Sequence, residues 1–133
     1  MRADTKTISI DASPRDVTRF LADPANLPRW AVGFAKAVRR ENGGWKVETA
    51  GGEMALRIDA DTATGIVDFV MSPRPGLEIL AASRVVPRGS ACEYVFTQFQ
   101  AAGMSDEAFG KSIQALEHEL KVLKAIAEVQ CPL

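Results

Sequence analysis

The sequence predicts an α+β domain in which a seven-stranded antiparallel sheet packs against one long C-terminal helix. Three observations point there: an alternating segment near the start, a run of short alternating segments separated by turn residues through the middle, and a single helical stripe at the end. With 133 residues the chain has the length of one domain, expected over 1–133. A chain of this size buries about two-thirds of its unfolded surface, enough for one substantial core. Hydrophobic residues at 47% and charged residues at 25% are globular proportions.

Thr5 to Asp11 alternates polar and apolar residues, with Ile8 and Ile10 on one face, and reads as a half-buried first strand. A helix starts immediately after it. Ser13 can cap, Pro14 suits the first helical position where a missing N–H costs nothing, and Asp16 favours the helix dipole; Val17, Phe20 and Leu21 share a face. Asp23 and Pro24 end that helix and start a second short one, running to about Trp30 and interrupted by Pro28.

From about Phe34 to Gln100 the chain reads as an antiparallel meander of six strands. Asn42-Gly43 is a type I′ hairpin candidate, and Gly51-Gly52 joins the next pair. Asp61 to Gly65, Ser72 to Leu77 with its two prolines, and Pro87 to Ser90 supply the remaining turns. In the final element Ser105 caps, Asp106 and Glu107 fill the first turn, and Phe109, Ile113, Leu116, Leu120, Leu123 and Ala127 make one narrow stripe along a helix of roughly 25 residues. His118 falls on the opposite, solvated side. Glu117 and Glu119 flank it in sequence and point elsewhere.

Charge and composition exclude several functions. Sixteen Lys and Arg against seventeen Asp and Glu leave a net charge of -1, so no overall field gathers nucleic acid or anionic lipid. Arg15, Arg19, Arg29, Arg39 and Arg40 are interrupted by acids and read as a mixed solvated surface. The longest apolar runs, such as Ile79 to Ala82, are strand-sized, whereas a membrane span needs about eighteen residues. MRADTKTISI lacks a continuous apolar leader segment, so a cytoplasmic location is expected. One His and two separated Cys make zinc improbable and reduced thiols the expectation; neither metal nor cofactor is expected. Hydrolase, P-loop and dinucleotide motifs are missing from the sequence.

Hairpin register assigns side chains to faces. A Gly51-Gly52 turn pairs Thr49 with Met54, Val47 with Leu56 and Trp45 with Ile58 on an inner face, leaving Lys46, Glu48, Glu53, Arg57 and Asp59 outside. An Arg88-Gly89 turn pairs Val85 with Cys92, Ser83 with Tyr94 and Ala81 with Phe96. A preceding turn near Gly76 puts Phe69 opposite Ser83. Phe69, Met71, Ile79, Ala81, Val85, Cys92, Tyr94 and Phe96 then form an inward face, interrupted by Ser83. Asp68, Arg84 and Glu93 form a row on the other face: a surface ladder on this register, a buried binding triad if the faces are inverted. The Ser83 and Tyr94 hydroxyls can bond to each other or orient a bound molecule.

This element order is the layout of the helix-grip fold, and local text agrees. ISIDASPRDVTRFLADPANLPRW resembles the opening of START-like, SRPBCC-superfamily proteins of the polyketide cyclase/dehydrase-like group; SRVVPRGSACEYVFTQF and GMSDEAFGKSIQALEHELKVLK look like the last hairpin and final helix of bacterial members. The resemblance implies a curved sheet wrapping the long helix around a cavity for a small apolar or amphipathic molecule. On the sheet, Trp45, Met54, Leu56, Phe69, Met71, Ala81 and Phe96 would line it, with Ser83, Tyr94 and Gln98 setting orientation. Phe109, Ile113 and Leu116 would cover it from the helix. Trp30 would either gate its mouth or pack on the first helix. Binding without catalysis is the first expectation. A cyclase- or aromatase-like enzyme is the second, requiring a side chain of perturbed pKa in the pocket. An interaction module resembling activators of the heat-shock ATPase is the third, requiring an exposed apolar patch. The oligomeric state is left open.

Overall fold

The computed structural model describes residues 2–133. Strand β1 (Ala3–Ile10) leads into helix α1 (Pro14–Ala22), a single 3-10 turn (Pro24–Asn26) and helix α2 (Leu27–Trp30). Strands β2 (Ala37–Glu41), β3 (Gly44–Thr49), β4 (Gly52–Asp61), β5 (Ile66–Arg74), β6 (Leu77–Arg88) and β7 (Ala91–Phe99) follow, and helix α3 (Asp106–Gln130) ends the chain. The sheet is antiparallel in the order β1-β7-β6-β5-β4-β3-β2, a meander whose last strand returns to the first. This is the helix-grip architecture. Among the described residues no helix is long and apolar enough to cross a membrane.

The helix signals act as their chemistry requires. Ser13 Oγ accepts from the Asp16 amide at 3.4 Å, Pro14 occupies the first turn, and Val17, Thr18, Phe20 and Leu21 are buried. Pro28 does not interrupt the second helix as expected. It lies in the first turn of α2, where no backbone donor is needed. Ser105 Oγ accepts from the Ala108 amide at 3.1 Å at the start of α3.

Three registers differ from the expected ones, each by an even step. In β3–β4, Thr49 pairs with Gly52, Val47 with Met54 and Trp45 with Leu56. Thr49 closes this turn itself: its Oγ1 donates to the Gly52 carbonyl at 2.7 Å and accepts from the Gly51 amide at 3.2 Å. In β6–β7, Arg88 pairs with Ala91, Val85 with Tyr94, Ser83 with Phe96 and Ala81 with Gln98. The turn is Gly89-Ser90, which puts the positive φ of 62° on glycine; an Arg88-Gly89 turn would have put Arg88 at the first turn position, where hairpin turns demand positive φ. In β5–β6 an irregularity between Met71 and Arg74 sets Phe69 opposite Ala81. Asn42 and Gly43 take φ values of 52° and 79°, the type I′ turn expected.

An even slip keeps every side chain on its face. Phe69, Ala81, Val85, Cys92, Tyr94 and Phe96 are buried on the inner side, as expected. The Asp68, Arg84, Glu93 row, however, does not form. Asp68 lies opposite Ala82 and Asp59, and Arg84 lies between Ile66 and Val95. Glu93 instead accepts hydrogen bonds from the hydroxyls of Thr7 and Ser9 on β1, which hold its carboxyl below the usual range.

Helix α3 runs alongside β1. Lys6 reaches Glu117 at 3.5 Å, Lys124 donates to the Ser9 carbonyl at 2.8 Å, and Glu128 accepts from the Asp11 amide at 2.8 Å. Toward its C-terminal end, Leu120, Leu123 and Ala127 pack into one cluster with Ile10, Val17, Leu21, Val85 and Cys92. The other end of the space between helix and sheet is differently filled.

Candidate functional site

Register places Ile58, Phe69, Ala81, Gln98 and Asp4 in one inward row across β4, β5, β6, β7 and β1. Ala81 in the middle of that row brings only a methyl group, and Ala115 on α3 brings another. Large neighbours on either side do not close the gap between them. A cavity of about 280 Å³ remains. Met54, Phe69, Met71, Ile79, Ala81, Phe96 and Gln98 line it from the sheet; Ser112, Ala115, Leu116 and Glu119 line it from α3. Leu27, Trp30, Ala31, Gly33 and Phe34 form the third wall. Leu80, Phe99 and Met104 also border the cavity and are exposed, marking its mouth.

The aromatic side chains form one connected group. Trp30 and Phe69 have centroids 6.1 Å apart, Phe69 and Phe96 6.0 Å, and Tyr94 meets Phe96 at 6.2 Å and Trp30 at 6.5 Å. These separations and tilted geometries are those that aromatic quadrupoles favour. Trp30, 2% exposed, is thus a wall of the cavity.

Of the residues expected from sequence, Trp30, Met54, Phe69, Met71, Ala81, Phe96, Gln98 and Leu116 line the cavity. Six others stand elsewhere. Trp45 lies under the Arg40 guanidinium, 5.4 Å from it, and Phe109 is buried under Arg2 at 5.1 Å. Leu56 is in the core, and Ile113 is half-buried on α3. Ser83 and Tyr94 are buried behind the lining. The Tyr94 hydroxyl donates to Ser83 Oγ at 2.8 Å, and Ser83 Oγ donates to the Val67 carbonyl. The two hydroxyls satisfy each other, and burial pushes the Tyr94 phenol well above its ordinary pKa, so it stays protonated. Tyr94→Phe is therefore expected to cost about 1 kcal/mol in a urea titration, the worth of one buried hydrogen bond, while leaving ligand retention unchanged.

Glu119 is the residue that stripe periodicity missed. It is 5% exposed and lines the cavity, flanked on α3 by Leu116 and Leu120. Its Oε2 accepts from the Gly33 amide at 3.0 Å. Gly33 permits this approach: a Cβ there would stand 3.2 Å from Ala115 Cβ and 3.4 Å from Glu119 Oε2. Burial pushes the carboxyl from 4.5 up to about 7, with the neighbouring Gly33 and Phe34 amides pulling the other way. A sequence signal existed: Glu119 lies three residues after Leu116 and four before Leu123, on the flank of the apolar stripe.

Comparison with known proteins is consistent with this arrangement. A family model described as polyketide cyclase / dehydrase and lipid transport matches residues 1–128. No curated protein matches the chain. Among solved structures, the protein XoxI from Bacillus cereus superposes with a TM-score of 0.74 at 18% identity, covering 96% of both chains. A START superfamily protein from Mycobacterium smegmatis gives 0.69 at 16% identity, covering 96% of this chain and 98% of that one. The di-domain ARO/CYC BexL from the BE-7585A biosynthetic pathway gives 0.68 at 20% identity, covering 94% of this chain and 46% of that one. At these identities the likeness is one of fold.

Proposed function

The chain belongs to the polyketide cyclase / dehydrase and lipid transport family, and from that membership we propose that it holds one small apolar or amphipathic molecule between the sheet and α3. The observation that carries this reading is the open space over Ala81, walled by aromatic and methionine side chains and entered past Leu80, Phe99 and Met104. At about 280 Å³ it lies near the lower end of small-molecule sites, which suits a ligand of one or two rings or a short chain. Affinity comes mainly from burial of ligand surface, at about 25 cal/mol per Å². Native mass spectrometry of protein purified from its own host tests the reading. A stoichiometric small molecule is expected, and protein that is empty in repeated preparations counts against it.

A second reading has one observation in its favour. Glu119, held near neutrality inside the cavity, can give or take a proton at physiological pH, as a cyclase-like enzyme requires. Turnover of a poly-β-keto substrate by the wild type, lost in Glu119→Gln with binding retained, would establish this reading; binding without turnover would leave the carrier role.

A further inference from the structure

Glu119 is 5% exposed, yet it borders the cavity and is the one ionisable residue in its lining, counting the sheet, the third wall and α3 together. Its Oε2 is held by the Gly33 amide at 3.0 Å. Oε1 makes no hydrogen bond among the described residues, and it is not among the sealed unpartnered atoms, which are Asp4 Oδ2 and Gln98 Nε2. It therefore keeps accessible surface, and the space that Glu119 borders is the cavity. No Lys, Arg or His lines that space, so the carboxylate has no protein cation to pair with there. Asp4 and Glu117 stand outside the lining and share Lys6, each at 3.5 Å. Buried carboxylates ordinarily have a cationic partner of their own.

The rest of the wall is electron-rich as well. Trp30, Phe69 and Phe96 present aromatic rings, Met54 and Met71 present thioethers, and the Ser112 hydroxyl gives its hydrogen to the Phe109 carbonyl at 2.7 Å. The one side-chain amide donor in the lining, Gln98 Nε2, is sealed from the space. A chamber that offers one acid and several π faces suits a positively charged guest.

Resting on the cavity reading above, we propose that the bound molecule is an apolar amine whose ammonium donates to Glu119 Oε1, with its hydrocarbon body in the space over Ala81. Folding has already removed Glu119 from water, so the guest adds only its own desolvation and gains a charge-assisted hydrogen bond. Other classes satisfy less. A carboxylate is repelled; a hydrocarbon leaves Oε1 bare; an alcohol donates one bond and leaves the charge uncompensated; a ketone bonds only to the protonated acid. Because the ammonium pairs with the ionised carboxyl, its arrival expels the proton that burial retains on Glu119.

The test compares three probes of one skeleton, 3-phenylpropylamine, 3-phenylpropanol and 3-phenylpropanoate, by calorimetric titration of the full chain. At pH 8 the amine is expected to bind at least about tenfold more tightly than the alcohol, and the carboxylate most weakly. Between pH 8 and pH 6, on either side of the carboxyl's value of about 7, the amine should weaken about tenfold while the alcohol stays nearly constant. At pH 7, titrations in buffers of different ionisation enthalpy should report about half a proton released for each amine bound. Glu119→Gln should bring the ratio of amine to alcohol affinity to about one at pH 8 and remove the proton release. The wild-type pH profile and proton count decide the matter even where that variant fails to fold. Equal binding of amine and alcohol by the wild type overturns the proposal and leaves the cavity reading standing. So does alcohol binding that exceeds amine binding and tightens as pH falls, the mark of a protonated carboxyl donating to a neutral acceptor. An amine preference that survives Glu119→Gln also overturns it. Failure of all three probes to bind overturns the cavity reading, and this proposal with it.

Discussion

Glu119→Gln is expected to flatten the stability of the protein between pH 4.5 and about 7, the interval that separates the ordinary carboxyl from the buried one. Over that interval the folded chain keeps a proton on Glu119 that the unfolded chain has released, so wild-type stability falls as pH rises and is level above the folded pKa. The stabilising contribution is complete below 4.5 and is lost through about 7. At 1.36 kcal/mol for each pH step, the loss comes to about 3 kcal/mol. Glutamine keeps an oxygen for the Gly33 amide and carries no charge to desolvate. Urea titrations should therefore find the variant nearly equal to the wild type at pH 4.5 and more stable by about 2–3 kcal/mol at pH 8. A variant less stable than the wild type at pH 8 would mean that the amide bonds outweigh burial, and Glu119 would then be an ordinary anionic cap.

Ala81→Trp is expected to abolish ligand binding, lowering affinity at least a hundredfold, with the melting temperature unchanged or raised. Introducing a large side chain into a packed core costs about 1–3 kcal/mol in strain. Here the indole enters space bordered by Phe69 and Gln98 that no side chain occupies, so it gains buried apolar contact without displacing a neighbour. Ala115→Phe does the same from the helix side. If both variants fold and still retain the molecule that copurifies with the wild type, the binding site lies elsewhere.

Much of the fold was readable because its signals are local. Ser13, Pro14 and Ser105 start helices through contacts within four residues, and Asn42-Gly43 declares its turn by residue type alone. The inner and outer faces were also readable, since alternation survives any even slip. Exact pairings were not. They depend on a threonine side chain closing its own turn at Thr49, on an irregularity between Met71 and Arg74, and on which residue of a turn tolerates positive φ. The Ser83 and Tyr94 hydroxyls do meet as expected, by a different route. Tyr94 stands across from Val85 and reaches diagonally to Ser83.

The cavity side chains on the sheet were largely legible for the same reason, and on the third wall only Trp30 was. Gly33 and Phe34 face the chamber only because the segment after α2 folds back against α3, a contact between residues 86 positions apart in the case of Gly33 and Glu119. No periodicity within either segment reports on the other. A glutamate beside a helical stripe looks like solvated surface until the loop that supplies its amide donors is in place.

The pairing of β1 with β7 brings together residues as distant as Ala3 and Phe99, 96 positions apart. Such a closure is entropically expensive and has to wait for nearly the whole polypeptide to be available. During synthesis the opening strand is therefore without its ladder until the ribosome has released the seventh, and refolding in vitro should be slow for a chain of this size, with β1 among the last segments to gain protection from amide exchange.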